Sequence, residues 1–469
     1  MSDGRDEQRT LLHRTADLAA DFLDGLRDRP VGPKVDLAAL RAAMGGPLPD
    51  RPVAPIRVVE DLARNAAPGL VGSAGPRYFG FVVGGSLPAA LAADWLAATW
   101  DQNAGIFVLG PAAATVEEVA AGWLTDLLGL ATTVSTGFVT GGQMANFSGL
   151  AAARHHVLAA AGWDVESDGL LGAPPVEVVV GAERHVTIDA ALRFLGLGSG
   201  RVRVVPADGQ GRMDATALPE VLVACQGPTI VCTQAGNVNT GAVDPLPAIC
   251  AAAHDHGAWV HVDGAFGLWA AASPARRHLL AGVEQADSVA TDAHKWLNVP
   301  YDSGLVFVAH PEAHRAAFST VAGYLQPGAA GERDPDAYTP EFSRRARGFP
   351  VWAALRSLGR SGVAAMVERG CEQASRFAAA LGAADGVEVL NEVVLNQVLV
   401  RFPDPGGDHD RRTREVVRRV QASGTLWLSG TTWHGMAAMR ISVSNWSTTD
   451  DDVDRSVAAI LEATKEVDG

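Results

Sequence analysis

Lysine is scarce in this chain of 469 residues. Only three of its 38 basic residues are lysines, namely Lys34, Lys295 and Lys465. Two interpretations fit this scarcity: lysine is retained where an amine is required, or a codon bias toward arginine has left three lysines. Lys34 and Lys465 lie in polar stretches near the ends of the chain, whereas Lys295 lies in its body, between His294 and Trp296. Lys295 is therefore the first candidate for chemistry.

Further absences exclude whole classes of protein. The four cysteines form no C-x-x-C pair, which argues against a zinc site or a disulfide framework and indicates buried thiols in a reducing cytoplasm. No apolar run approaches the roughly 20 residues of a membrane span, and the amino-terminal stretch lacks the apolar core of a secretion signal. The net charge is −15 and no basic run occurs, so nucleic acid is not an expected partner.

Short, continuous apolar runs predict the fold. From about residue 85 they alternate with helical patterns, which is typical of a parallel sheet buried on both faces. The sequence predicts a large three-layer α/β domain over residues 76–348 and a small α+β domain over residues 349–469. Residues 1–75 are predicted to form a helical arm, and such arms more often pack on a partner subunit than alone. The apolar runs are Val176–Gly181, Arg201–Pro206, Thr229–Thr233, Ala258–Val262, Ser288–Thr291 and Gly304–Ala309.

Asp263 directly follows one of these runs, in the segment Trp-Val-His-Val-Asp-Gly-Ala-Phe. Open α/β sheets bind ligands at the carboxyl ends of their strands. An aspartate there can hold the proton on the nitrogen of a heteroaromatic ring, and Gly264 and Ala265 leave room for a flat ring. Taken alone, Asp263 fits a helix cap or a turn equally well. His261 and Asp263 lack a third ligand at suitable spacing, so no metal site is expected.

Lys295 follows a second run, in the segment Thr-Asp-Ala-His-Lys-Trp-Leu. Apolar surroundings favour the neutral form of an amine, and this form makes an imine with a carbonyl group. Asp292 and His294 lie in the same turn, where they can accept and donate hydrogen bonds around a phosphate. A surface lysine fits poorly here because Trp296 and Leu297 follow directly.

Two upstream segments add to a cofactor site. Gly142 and Gln143 begin a helix after a Gly-Gly turn, where free N–H groups and the helix dipole make an anion cradle. His185 follows the run that ends at Gly181 and could lie flat over a cofactor ring. Each signal is weak alone, since Gly-Gly turns are common and a single histidine is usually a packing or capping residue.

Together these segments resemble the group II pyridoxal phosphate-dependent amino-acid decarboxylases, the family of aromatic-L-amino-acid, glutamate and diaminobutyrate decarboxylases. The similarity runs from about residue 77 to residue 442, and His-Val-Asp-Gly-Ala with Asp-Ala-His-Lys-Trp is its most specific part. The resemblance implies fold type I and a homodimer with both active sites at the interface.

The resemblance also implies a role for each candidate residue. Lys295 is the Schiff-base lysine, Asp263 pairs with the pyridine nitrogen, and His185 and Ala265 lie on the two faces of the ring. The residues implied near the phosphate are Gly142, Gln143, Asp292 and His294, and Asn237 is implied near the 3-hydroxyl group and the substrate.

Three positions fit the family pattern less closely. Relatives commonly have Asn or Ser at the position of Asp292, and serines in the turn where this chain has Gly-Gly-Gln. In this family, a loop tyrosine of the neighbouring subunit is associated with protonation of the product. This chain offers Tyr324 and Tyr338, and Tyr338 is our preferred interpretation.

The implied function is decarboxylation of an L-amino acid to an amine and CO₂. An aromatic substrate is favoured because Phe81, Val82 and the segment Trp100–Phe107 offer an apolar lining. The alternatives are an oxidative decarboxylase or aldehyde synthase, another fold type I lyase, and an aminotransferase. A catalytically silent homologue is a further alternative, which the presence of both Lys295 and Asp263 disfavours.

Overall fold

The computed structural model describes residues 3–33, 35–319 and 332–468. Helices separate successive strands between residues 135 and 263. The helices are α1 (Asp3–Asp24), α2 (Leu37–Met44), α3 (Pro55–Ala66), α4 (Pro88–Trp100), α5 (Pro111–Leu128), α6 (Gly142–Ala160), α7 (Val165–Asp168), α8 (Val186–Phe194), α9 (Leu218–Val223), α10 (Leu246–Asp255), α11 (Pro311–Phe318), α12 (Gly348–Gly382), α13 (His409–Ser423) and α14 (Asp450–Asp468). The strands are β1 (Ser135–Val139), β2 (Glu177–Gly181), β3 (Arg203–Val205), β4 (Thr229–Gln234), β5 (Trp259–Asp263), β6 (Ser288–Asp292), β7 (Gly304–Val308), β8 (Glu388–Val389), β9 (Gln397–Arg401), β10 (Ser429–Trp433) and β11 (Met436–Ser442).

A seven-stranded sheet has the order β1-β7-β6-β5-β4-β2-β3. The strands from β6 to β3 in this order pair in parallel, whereas β7 runs antiparallel to both of its neighbours. Strands β2 to β7 lie within two residues of the predicted apolar runs. Strand β1 was not predicted, because Ser135, Thr136 and Gly137 interrupt its apolar character.

Side chains of the large sheet point alternately into two cores. Val260 and Val262 pack with α5, α10 and α12, whereas Val178 and Val180 pack with α6 and α8 on the opposite face. Strands covered on both faces need apolar residues at successive positions, which explains the continuous runs in the sequence. This arrangement confirms the predicted three-layer α/β architecture with a mainly parallel sheet.

A smaller antiparallel sheet, with the order β10-β11-β9-β8, lies in the carboxyl-terminal region. Its core includes Phe377 and Phe402 and receives side chains from α12, α13 and α14. This confirms the predicted small α+β unit. The domain limits at residues 75 and 348 stay a prediction, and the two units are in contact across them. Helix α12 contributes side chains to both cores, and the backbone of Phe79 pairs with Trp427 and Ser442 of the carboxyl-terminal unit.

The parallel strands β4, β5 and β6 end at one edge of the large sheet. Gln234 is in register with Asp263 at the ends of β4 and β5, and Asp292 ends β6 beside them. Helix α6 begins at this edge, because Gly142 contacts the carboxylate of Asp292. Among the helices of the described ranges, none combines the length and the hydropathy needed to cross a bilayer.

Candidate active site

A cavity of about 230 Å³ lies at the carboxyl ends of β4, β5 and β6. Its walls combine an amine, carboxylates, an imidazole and a guanidinium group with apolar side chains. The predicted site residues that line it are Lys295, Asp263, His185, Ala265, Gly142, Gln143 and Asp292. Within the described ranges, no group of three His, Cys, Asp or Glu side chains is placed to hold a metal ion.

Asp292 connects Lys295 to the start of α6. The Lys295 Nζ atom lies 2.8 Å from Asp292 Oδ2. The other carboxylate oxygen accepts a hydrogen bond from the backbone N–H of Gly142 and lies 3.2 Å from His294 Nε2. A Cβ atom on Gly142 would come within 2.5 Å of Asp292 Oδ2, so a glycine is needed at this position. The first turn of α6 thus binds an anion, as its free N–H groups and dipole favour.

Asp263 presents a buried carboxylate at the end of β5. Its Oδ2 atom accepts a hydrogen bond of 3.1 Å from Asn146 Nδ2, and its Oδ1 atom accepts one of 3.1 Å from the backbone N–H of Ala265. These two donors restrict the rotation of the side chain. The carboxylate is therefore held in one orientation at the cavity wall.

His185 caps the amino terminus of α8, and its Nδ1 atom lies 2.8 Å from Thr187 Oγ1. Burial is the largest influence on the pKa of His185 and lowers it. The charge of Asp263 opposes this shift, whereas the charges of Lys295 and Arg440 reinforce it. The imidazole is consequently neutral near pH 7, as suits a ring that packs against a flat ligand.

Two predicted residues lie behind the cavity wall rather than on it. The Nδ1 atom of His294 accepts a hydrogen bond of 3.1 Å from the backbone of Ser303, and its ring stacks on Tyr301 at 4.2 Å. Asn237 shapes the turn after β4, because its Oδ1 atom accepts hydrogen bonds from the backbone of Asn239 and Thr240. Both residues support the site from outside the cavity.

The predicted loop tyrosine does not line the cavity that contains Lys295 of its own chain. Tyr338 meets the ring of His314 edge-on at 5.3 Å, and the guanidinium of Arg333 lies 4.7 Å from the centre of its ring. The role assigned to Tyr338 concerns a neighbouring subunit and stays a prediction. The alternative, Tyr324, lies outside the described residues.

Arg440 on β11 is a site residue that sequence reasoning missed. It lines the cavity and is only 8% exposed, yet its Nε atom has no hydrogen-bond partner in the described part of the chain. Burial lowers the pKa of Arg440 to about 10. A buried guanidinium without a carboxylate partner is costly unless a ligand supplies the anion. The sequence feature that could have identified Arg440 is its position as the one charged residue in the apolar strand Met-Ala-Ala-Met-Arg-Ile.

Comparisons with known proteins agree with this geometry. The pyridoxal-dependent decarboxylase conserved domain matches residues 40–402. The aromatic-L-amino-acid decarboxylase of Bacillus atrophaeus is 27% identical, over 98% of this chain and 96% of that protein. A phenylacetaldehyde synthase of Arabidopsis thaliana is 26% identical, over 92% and 90%. The crystal structure of Oryza sativa TDC with PLP and tryptamine superposes with a TM-score of 0.91, at 26% identity and over 98% of both chains.

The donor set of the cavity fits pyridoxal 5′-phosphate. The cavity offers an amine for the aldehyde, a fixed buried carboxylate for the ring nitrogen, and a helix terminus for the phosphate. The matched domain covers well over half of the chain. The chain therefore belongs to the pyridoxal phosphate-dependent amino-acid decarboxylases and is a carboxy-lyase of fold type I.

Proposed function

We propose that this enzyme decarboxylates an aromatic L-amino acid to the corresponding amine and CO₂. The observation that carries the proposal is the buried guanidinium of Arg440, whose Nε atom has no hydrogen-bond partner among the described residues, in the same cavity as Lys295 and Asp263. Phe81 and Val82 line the same cavity and offer apolar surface to a side chain. Relatives named for aromatic amino acids and for tryptophan support this substrate class.

The predicted site residues have proposed tasks toward the cofactor. Lys295 would hold it covalently, and Asp263 would keep a proton on its ring nitrogen. When bound and protonated there, pyridoxal phosphate supplies an electron sink for the electrons that the departing CO₂ leaves behind. The ring of His185 and the methyl group of Ala265 would lie on the two faces of the cofactor ring. Gly142 and Gln143 would hold its phosphate at the start of α6, with Asp292 and His294 beside the same helix terminus, and Asn237 would support the cofactor's hydroxyl side from the turn after β4.

Arg440 is proposed to bind the carboxylate of the incoming amino acid. Its guanidinium can make two parallel hydrogen bonds with a carboxylate, which orients this group as well as attracting it. Orientation matters because the bond that breaks must be held in one direction relative to the cofactor ring. The apolar lining then receives the side chain of the substrate.

An aldehyde-forming reaction is the second candidate, and one observation favours it. No tyrosine of the described residues lines the cavity, whereas a loop tyrosine is associated with product protonation in this family. Phenylacetaldehyde synthases are also among the relatives. We assign the protonation to Tyr338 of a neighbouring subunit, which makes simple decarboxylation the main proposal.

A homodimer is proposed because an apolar groove lies between α1 and α4. The groove measures about 870 Å³, and Leu12, Trp95 and Leu96 in its walls are 54%, 42% and 47% exposed. Exposed apolar patches of this kind mark interfaces. A cytoplasmic location accompanies this proposal, since all four cysteines are buried free thiols.

The test measures products from purified enzyme loaded with pyridoxal phosphate. Tryptophan, tyrosine, phenylalanine, glutamate and diaminobutyrate are supplied in turn, and CO₂, amine, ammonia and peroxide are quantified. The proposal expects CO₂ and amine in equal amounts from an aromatic substrate, and no product from the Lys295→Ala variant. Peroxide with ammonia would establish the aldehyde-forming reaction instead. Release of CO₂ from glutamate or diaminobutyrate alone would overturn the proposed substrate class.

A second arm tests Arg440. The Arg440→Met variant should lower kcat/KM by about 100-fold or more, because the substrate carboxylate loses a buried partner. Its melting temperature should not fall, since the substitution removes an unpaired buried charge. A variant that keeps wild-type kcat/KM would refute the role given to Arg440.

A further inference from the structure

Strand β5 places three polar side chains on its α6 face. Trp259, His261 and Asp263 alternate with Val260 and Val262, whose side chains pack into the opposite core. Successive side chains of a strand point to opposite faces, so the three share one face. His261 has no exposed surface. The family resemblance implies roles for Asp263 and Ala265 of the same motif, but none for His261.

These side chains belong to one continuous hydrogen-bonded chain. Trp259 Nε1 lies 2.9 Å from Ser288 Oγ, which lies 2.8 Å from His261 Nδ1. His261 Nε2 lies 3.0 Å from Asn146 Oδ1, and Asn146 Nδ2 lies 3.1 Å from Asp263 Oδ2. All five residues are at least 94% buried.

The direction of every hydrogen bond in the chain is determined by its two ends. The carboxylate of Asp263 only accepts, so Asn146 must turn its NH₂ group toward it and its oxygen toward His261. His261 then carries its proton on Nε2 and accepts on Nδ1. Ser288 must therefore donate to Nδ1, while its oxygen accepts from Trp259, which only donates. Burial lowers the pKa of His261 to about 3, which agrees with a neutral ring.

The second N–H of Asn146 serves the other side of the site. Asn146 Nδ2 also lies 3.2 Å from Thr187 Oγ1, and this hydroxyl group lies 2.8 Å from His185 Nδ1. Thr187 accepts from Asn146 and so donates to His185. The proton of His185 is thereby assigned to Nε2. One amide thus orients both the aspartate and the histidine that contact the proposed cofactor.

We infer that His261 and Ser288 are positioning residues that act through Asn146 to orient Asp263 and His185 toward the cofactor ring. The inference rests on the proposed cofactor roles of Asp263 and His185. Without a donor at its oxygen, the Asn146 amide loses one of the contacts that fix its plane. Its hydrogen bond to Asp263 is then less well directed, and Asp263 is held less firmly toward the ring nitrogen.

The experiment compares variants of the hydrogen-bonded residues with a variant of a buried histidine that is not hydrogen-bonded to them. Ser288→Ala and His261→Leu break the chain at different points. His314→Leu is the control, because His314 is also fully buried and also bonds a serine, with Nδ1 2.8 Å from Ser135 Oγ. Each protein is loaded with pyridoxal phosphate labelled with ¹⁵N in the ring, and nitrogen NMR reports whether the ring nitrogen is protonated. The affinity of each apo-protein for the cofactor is measured in parallel.

The wild type should show a protonated ring nitrogen. Both chain variants should lose part of this signal and should bind the cofactor roughly 10- to 100-fold more weakly, the loss expected for a misplaced hydrogen bond to a charged group. The His314→Leu control should lose thermal stability without either change. Ser288→Ala removes a single oxygen atom, so it keeps the test available if His261→Leu fails to fold.

Two results would overturn the inference: an unchanged nitrogen signal in Ser288→Ala, or the same change in His314→Leu. The proposed substrate is judged separately. A protonated ring nitrogen that depends on Ser288, in an enzyme that releases no CO₂ from aromatic amino acids, would refute the substrate class and support the hydrogen-bonded chain.

Discussion

Asp292 is a residue of the proposed cofactor site at whose position we expect relatives to carry Asn or Ser. Its carboxylate is 1% exposed and contacts the Lys295 ammonium, His294 and the N–H of Gly142. The proposed phosphate site therefore already contains a negative charge. A phosphate that binds at the same helix terminus must either repel this carboxylate or displace it toward His294.

The Asp292→Asn variant should bind pyridoxal phosphate about 10-fold more tightly, because the phosphate no longer meets a carboxylate. The apo-protein should lose about 1–3 kcal/mol of unfolding free energy, because the amine of Lys295 loses its charged partner. Fluorescence titration of the apo-protein and urea unfolding measure the two effects. Weaker cofactor binding by Asp292→Asn would instead assign the carboxylate a direct part in holding the cofactor.

At the residue scale, the sequence predicted those site residues that end a strand or begin a helix. Asp263, Asp292 and Gly142 do so, and the sheet brings their positions together at one edge. Asn146 and Arg440 were missed for a physical reason. Asn146 lies inside α6 and Arg440 inside β11 rather than at the end of a strand of the large sheet, and their importance comes from burial and from groups that are distant in the sequence.

At the scale of elements, continuous apolar runs predicted six strands because both faces of the large sheet are covered. Strand β1 escaped this signal because it contains Ser135, Thr136 and Gly137. Strand β10 begins only at Ser429, because the backbone of Trp427 pairs with the segment around Phe79. Pairing of this kind depends on partners hundreds of residues away, which local patterns do not encode.

The packing of α6 on β5 depends on Gly149. A Cβ atom at this position would lie 2.8 Å from two atoms of the His261 ring. Gly149→Ala should therefore cost about 1–3 kcal/mol of unfolding free energy, as overpacking of a core does. Gly122, at an exposed position in α5 with no atom within 4 Å of its added Cβ, offers the control. Gly122→Ala should stabilise by roughly 0.5–1 kcal/mol, and a loss in both variants would contradict the packing argument.

The amino-terminal ends of β5 and β6 are joined by Asp287. Burial raises the pKa of this carboxyl group, but hydrogen bonds from His310, the backbone of Val260 and His254 outweigh it, so the pKa is lowered overall. Because the pKa of the folded state lies below the unfolded value of about 3.9, the stabilisation is complete above that pH and is lost as the pH falls through the folded-state pKa.

Asp287→Asn should accordingly destabilise the protein by about 1–3 kcal/mol at pH 7. The difference from the wild type should shrink as the pH drops below about 4. Urea unfolding at several pH values measures this, with the exposed Asp21→Asn as a control that should change little. A difference that stays constant down to acidic pH would show that the ionised carboxylate is not what stabilises these strands.

At the scale of the whole molecule, the arm and α4 leave apolar surface exposed on one side. Leu12 and Trp95 line the groove between α1 and α4, and Trp100 of α4 is 48% exposed. Such surface is costly in water unless another chain covers it. The role proposed for Tyr338 also calls for a second chain, because Tyr338 does not line the cavity that contains Lys295 of its own subunit.

Trp95→Arg should therefore convert a dimer into a monomer, since a charge placed in an apolar interface loses its hydration on association. Light scattering coupled to size-exclusion chromatography measures the mass, and the same fractions are assayed for CO₂ release. Val223, which is 75% exposed on α9 and far from the groove in the sequence, offers the control Val223→Arg, which should leave mass and activity unchanged. If Tyr338 of one subunit protonates the product in the other, the Trp95→Arg monomer should still bind the cofactor but lose most of its decarboxylation activity. A fully active monomer would show that each chain completes its own site and that Tyr338 takes no part in it.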